Sequence, residues 1–168
     1  MRRVRVCAVA TLLASSPCLA SDRPAAAASG GLCAPQEATY FQCSAGKGRS
    51  INLCGPGEGA VQYRFGRNGM VELAFPADAK EGARSLRYAH YFRAQTDRFE
   101  VRFENEGVEY VLFDYQEGKR REAGVHVTGA DGKEREVVCS GPVRSRLPDL
   151  QGVLRCDAES ALNGGRCP

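Results

Sequence analysis

An all-β fold is predicted: an antiparallel meander of about eight strands forming a small barrel or sandwich, stapled by disulfides and ending in a short C-terminal helical segment. Three observations predict it. Apolar residues alternate with polar ones in short runs from Tyr40 to Cys139. Turn-forming Gly, Asn and Asp break those runs at intervals of roughly ten residues, the spacing of a meander, sandwich or barrel. Six cysteines, an even number, follow the leader described next.

The chain opens "MRRVRVCAVATLLASSPCLASD". Arg2, Arg3 and Arg5 form a basic start, and Val6 to Ala20 is an apolar run of about 15 residues, short of the roughly 20 that span a bilayer. Cys18-Leu19-Ala20 places small residues at both recognition positions of a signal peptidase, so residues 1–20 read as a secretory signal. A lipoprotein signal fits less well, because Pro17 precedes Cys18 and Leu32 precedes Cys33 where a small residue is needed. Residues 21–31, "SDRPAAAASGG", read as a disordered lead-in. Residues 32–168, about 135 residues, suit a single domain with one core.

Export changes the charge argument. The chain carries 23 basic and 20 acidic side chains. Three of the basic ones are Arg2, Arg3 and Arg5, so the exported part balances at 20 against 20. The charge gives no reason to expect nucleic acid or an anionic membrane surface as partner.

Cys7 and Cys18 leave with the signal; Cys33, Cys43, Cys54, Cys139, Cys156 and Cys167 remain. In an oxidising compartment these form three bridges, out of fifteen possible pairings. No two are closer than ten residues, which argues against a zinc site built on Cys-x₂-Cys pairs. Local spacing suggests Cys43–Cys54 across a hairpin and Cys156–Cys167 around the last segment, leaving Cys33–Cys139.

The strands can be placed by their faces. In "VQYRFGRNGMVELAF", a three-residue loop Arg67-Asn68-Gly69 would pair Phe65 with Val71, Tyr63 with Leu73 and Val61 with Phe75, keeping the apolar sets together. In "FEVRFENEGVEYVLF", a turn at Asn105-Glu106 would set Phe103 against Val108, Val101 against Tyr110 and Phe99 against Leu112. Glu109 to Tyr115 is apolar on both sides, which predicts a strand near the middle of a sheet. "QEGKRRE" and "ADGKE" give two further turns, with "AGVHVT" and "REVVC" as strands. "PADAKEGARSLRYAHYF" reads as a short turn or a long loop. "DAESALNGG" reads as a short helix with Asp157 as N-cap and Asn163-Gly164-Gly165 as its stop.

Several motifs could carry chemistry, and each has a plainer reading. Ser44-x-x-Lys47 matches a serine–lysine nucleophile pattern, but that chemistry needs a helix start, and Gly46 and Gly48 mark a turn. "AGKGRS" lacks the first glycine of a phosphate loop, because Phe41 stands there. His90 and His126 are the only histidines. They read as solvated surface residues, and no Gly-x-Ser-x-Gly elbow accompanies them. Glu100, Glu104, Glu106 and Glu109 alternate around Arg102 as a cross-strand charge ladder. From Arg84 to Phe103, arginines mix with aromatics, the composition of interaction surfaces. Arg84, Arg87, Tyr88, Tyr91 and Arg93 are the candidate partner surface.

The words "YFQCSAGKGRSINLC", "VQYRFG", "VELAFP" and "YVLFDY" cover roughly Tyr40 to Tyr115. They resemble a family of small exported bacterial proteins of uncharacterised activity, a resemblance that implies export and brings no catalytic residues. More distantly, size, export and meander resemble the periplasmic lysozyme inhibitors, although their Ser-Gly-x-x-Tyr loop is absent. The function predicted is a periplasmic or secreted binding module for a protein or envelope ligand. It would be monomeric, with no cofactor, no metal and no transmembrane segment after signal removal. A lysozyme-inhibitor-like protein and a small secreted hydrolase using His90 or His126 are the alternatives.

Overall fold

The computed structural model describes residues 31–167. The signal, Cys7, Cys18 and the lead-in up to residue 30 lie outside the described residues. Eleven strands are present: β1 (Ala38–Ser44), β2 (Arg49–Gly57), β3 (Ala60–Arg67), β4 (Met70–Phe75), β5 (Arg87–Arg93), β6 (Thr96–Asn105), β7 (Val108–Glu117), β8 (Arg120–Thr128), β9 (Glu134–Val138), β10 (Ser140–Ser145) and β11 (Arg155–Cys156). A one-turn helix, α1 (Gly82–Ser85), precedes β5. The first sheet has the order β10-β1-β2-β3-β4 and the second β11-β5-β6-β7-β8-β9; every pairing is antiparallel except β11 on β5. The eight expected strands are joined by β5, β10 and β11.

Alternation fixes which residues meet between the sheets. Phe41, Ile51, Leu53, Val61 and Tyr63 from the first sheet face Val101, Phe103, Leu112 and Val125 from the second, all essentially buried. Phe103 is the aromatic centre, stacked on Phe75 at 4.6 Å and on Tyr110 at 4.8 Å. Leu147, Leu150 and Leu154, from the segment after β10, complete this core. As its two-sided apolar sequence predicts, β7 lies inside the second sheet, between β6 and β8.

Two registers differ from expectation. Arg67 pairs with Met70 across a two-residue Asn68-Gly69 turn, and the pairing then shifts by one residue, so that Phe65 opposes Leu73 and Tyr63 opposes Phe75. A bulge, rather than a longer loop, restores the apolar face. Gly66 permits it: a Cβ there would lie 2.3 Å from the Met70 carbonyl oxygen. The β6–β7 turn sits at Glu106-Gly107, both at positive φ (53° and 73°), instead of Asn105-Glu106. Such a turn matches strand twist. Phe103 therefore opposes Tyr110 and Val101 opposes Leu112. The slip of two residues leaves the apolar face intact.

The disulfides pair as Cys33–Cys54, Cys43–Cys139 and Cys156–Cys167. The expected Cys43–Cys54 and Cys33–Cys139 bridges are corrected by parity. Cys43 faces the core beside Ile51, while Cys54, one residue beyond inward-facing Leu53, points outward. Cys43–Cys139 joins the two sheets across a separation of 96 residues, for which loop-closure entropy alone gives about 4–5 kcal/mol.

Of the other two bridges, Cys33–Cys54 holds the N-terminal segment over the outer face of the first sheet, and Cys156–Cys167 closes the C-terminal segment beside β5. Cys33 brings residues 31–37 onto a polar, buried patch of β2 and β3. There the Arg64 guanidinium donates to both Glu37 carboxylate oxygens (2.6 and 2.7 Å), to the Leu32 carbonyl (2.9 Å) and to Gln62 Oε1 (2.7 Å). Buried Asn52 accepts from the Leu32 N–H at 3.2 Å. On the second sheet, Arg102 donates to the Asp157 carboxylate, with Nε 2.7 Å from Oδ2. The expected N-cap role of Asp157 passes to Ser160, whose hydroxyl accepts from the Leu162 N–H and caps a 3₁₀ turn at Ala161–Asn163. That turn ends at Gly164 in the left-handed conformation.

Arg64 holds the Glu37 carboxyl below its ordinary value of 4.5. A depressed carboxylate adds stability above its unfolded pKa that is lost as pH falls through the folded one. Glu37→Gln should therefore lower stability by about 1–2 kcal/mol near neutral pH. Urea midpoints measured from pH 7 down to pH 3 should show the wild-type and variant curves converging below pH 4.5; parallel curves would contradict the ion pair.

Candidate functional site

The segment expected to be a loop, "RYAHYFR", forms β5, paired along its length with β6. Its alternation sends Tyr88, His90 and Phe92 to one face, opposite Val101, Phe99 and Asp97. This row climbs out of the core: Tyr88 is 6% exposed, His90 is partly buried and Phe92 is 71% exposed. The Tyr88 hydroxyl is buried without a hydrogen-bond partner, and burial, then nearby Asp97, pushes its pKa up to about 12. The His90 ring stacks on Phe99 at 4.3 Å, with Nε2 2.7 Å from Asp97 Oδ1. Further along the same face, the Asp114 carboxylate accepts two hydrogen bonds from Arg121, each 2.8 Å. The inner face of the second sheet thus turns polar at this end.

Two depressions flank the His90–Asp97 pair. One, of about 370 Å³, lies between β5 and the turn at residues 151–154, lined by Tyr88, His90, Gln151, Leu154 and Asn163. The other, of about 190 Å³, is lined by Asp97, Asp114, Arg121, Ser145 and Pro148.

On the outer face of the same end, Tyr91 and Arg93 border a hollow of about 360 Å³ shared with Thr96, Arg98, Glu117 and Leu162. Arg98 pairs with Glu117 and lies 5.2 Å from the centre of the Tyr115 ring. The β5–β6 turn, with Gln95 at φ 64°, is tied to the β7–β8 turn by a 2.7 Å bond from the Gly118 N–H to the Gln95 carbonyl. Two hairpin tips therefore form one edge, bearing Tyr91, Phe92, Arg93 and Lys119.

The predicted partner surface separates into three places. Arg84 sits on α1, paired with Glu81 at 2.6 Å, and donates nothing to the tip. Arg87 opens β5 and donates to the Arg84 carbonyl at 3.1 Å. Tyr88 points into the core and shows only its edge at the depression beside β5. Tyr91 and Arg93 lie at the far end of β5, roughly 13 and 20 Å from Arg87 by strand rise. Phe92, one of the aromatics of the Arg84–Phe103 segment but outside the candidate set, is the most exposed large apolar residue among the described residues. Its period-two spacing from Tyr88 and His90 was the available signal.

The two histidines stand on opposite faces of the second sheet. His126 stacks on Phe113 at 4.4 Å, with Nδ1 3.4 Å from Glu134 Oε1. Both are largely covered by a phenylalanine rather than solvated, because each strand neighbour presents its ring flat against the imidazole. The Ser44 hydroxyl lies 3.3 Å from that of Ser140, and Lys47 occupies the β1–β2 turn at φ 50°. Of the acidic ladder, Glu109 reaches Arg102 at 3.0 Å, while Glu100 accepts from Tyr115 and from Ser160.

Comparison with protein-family models, with curated proteins and with solved structures finds no match. All six cysteines of the described residues are oxidised, the chemistry of an oxidising compartment. Among the described residues no helix is long and apolar enough to cross a membrane.

The gradient along β5 predicts two different outcomes for two aromatic substitutions. Phe92→Ala should change stability by no more than about 0.5 kcal/mol. Tyr88→Ala should cost about 3–4 kcal/mol through the cavity it leaves. Equal shifts in thermal midpoint would contradict the assigned facing.

Proposed function

We propose that this protein is an exported binding module that engages a protein or envelope ligand through the joined tips of β5–β6 and β7–β8. The observation that carries the reading is Phe92, 71% exposed at a hairpin tip beside exposed Tyr91 and Arg93. An apolar ring held in water without a packing partner is unfavourable, and aromatic residues with arginine are the groups enriched where proteins bind. The three disulfides and the secretory leader support a periplasmic or secreted location.

Binding without turnover is the version the geometry favours. The histidines are separated by a sheet, and every described thiol is committed to a bridge. The tip is also built for presentation: its strands belong to a disulfide-bonded scaffold, so little order has to be gained on binding.

The test is capture from periplasmic or culture extract of the native host with immobilised wild-type protein and with a Tyr91→Ala/Phe92→Ala/Arg93→Ala variant. A partner retained by the wild type and reduced at least about tenfold on the variant is expected. Equal capture by both would move the binding surface elsewhere.

A further inference from the structure

The outer edge of β5 is only partly covered. β11 pairs with Arg87 and Tyr88 alone. The Asp157 N–H donates to the Tyr88 carbonyl at 2.8 Å. One rung further on, the side-chain amide of Asn163 stands in for a peptide group. Its Oδ1 accepts from the His90 N–H at 3.4 Å, and its Nδ2 lies 3.4 Å from the Tyr88 carbonyl and 2.8 Å from the Asp157 carbonyl. Backbone groups on a strand point alternately to its two edges. Tyr88 and His90 therefore use the outer edge, and the next residue to do so is Phe92. Among the described residues nothing hydrogen-bonds the Phe92 N–H or carbonyl on that side.

We propose that this open rung is a strand-addition site, which takes an extended, acidic polypeptide segment along β5 from His90 to Arg93. The inference rests on the binding end proposed above and names the class of partner it takes. The edge already accepts a strand at 155–156 and an amide at Asn163, so the geometry for another peptide group is built. Main-chain bonds supply affinity in such docking, and alternate side chains supply selectivity. The side chains beside the open rung are Phe92 and Tyr91, for apolar residues of the segment, and Arg93. Arg93 forms no ion pair among the described residues, while Lys119 stands on the β7–β8 turn, beyond β6 and β7 from the open edge. A guanidinium without an ion pair beside an exposed aromatic selects carboxylates.

The probe is a capped octapeptide of alternating glutamate and valine, titrated into the full exported protein to about 1 mM while backbone amide shifts are followed by NMR. The expected result is saturable shifts confined to His90–Gln95 and to Asn163, which borders the open rung. The same peptide N-methylated at alternate residues should bind at least about tenfold more weakly, having lost the donors that pair with an edge. A lysine–valine octapeptide should show no saturation. Phe92→Pro, tolerated where an edge N–H faces solvent, should weaken binding at least about fivefold beyond Phe92→Ala, which removes the ring but keeps the N–H. Equal binding of the N-methylated and parent peptides would overturn strand addition while leaving the binding end in place. So would the absence of any shift along β5. Loss of the binding end itself is read separately, from undiminished capture by the tip variant.

Discussion

The exposed end of this protein depends on where the C-terminal segment stops, and Arg102 decides that. Its guanidinium lies on the outer face of β6 and meets three carboxylates, of Asp157, Glu109 and Glu159. The hydrogen bond it donates to Asp157 is the largest of the influences that hold its charge, outweighing the cost of partial burial. Pinning Asp157 places Ser160 against Glu100 and Asn163 against His90. Coverage ends there, one rung before Phe92. The clamp thus couples a stabilising contact in the middle of the sheet to an unsatisfied backbone edge at its end.

The first sheet solves the same problem with the same chemistry. Arg64 binds Glu37 with two hydrogen bonds, and a disulfide, Cys33–Cys54, holds the strap whose closing residue is Glu37. On the second sheet the arginine is Arg102, the carboxylate Asp157, and the disulfide Cys156–Cys167. Each sheet thereby covers part of its outer face with polar chain, while the third bridge ties the sheets to each other. Partly buried charges are costly unless paired and hydrogen-bonded, and both arginines are. The arrangement gives a small two-sheet protein three covalent ties where its core alone is modest.

Alternation made much of this legible. The strand-rich class, the central position of β7 and the inward set around Phe103 follow from period-two patterning, which tolerates a register error of two residues without changing faces. That tolerance explains how the β6–β7 faces came out right with the wrong partners. At β4 the same slip of two keeps Leu73 and Phe75 on the core, while the bulge beside Gly66 turns Val71, expected opposite Phe65, out to solvent. Spacing alone suggests a Cys43–Cys54 bridge, whereas the decisive fact is which face each cysteine occupies. β5 is hard to see in sequence because tyrosine stands on both its faces and a histidine interrupts the inward row of Tyr88 and Phe92, which blurs the apolar–polar rhythm. Once it is a strand, its candidate surface divides by parity: Tyr88 goes inward and Phe92 emerges. Asp157 resembles a local helix cap in sequence, because its true partner, Arg102, lies 55 residues away.

The most direct test is hydrogen exchange at individual β5 amides in the wild type and in Arg102→Met. The account requires the wild-type His90 amide to be protected by Asn163 and the Phe92 amide to exchange near the rate of an exposed peptide. In the variant, His90 should lose its protection while Tyr91, bonded to β6, keeps it. A protected Phe92 amide in the wild type, or a His90 amide indifferent to the loss of Arg102, would contradict it.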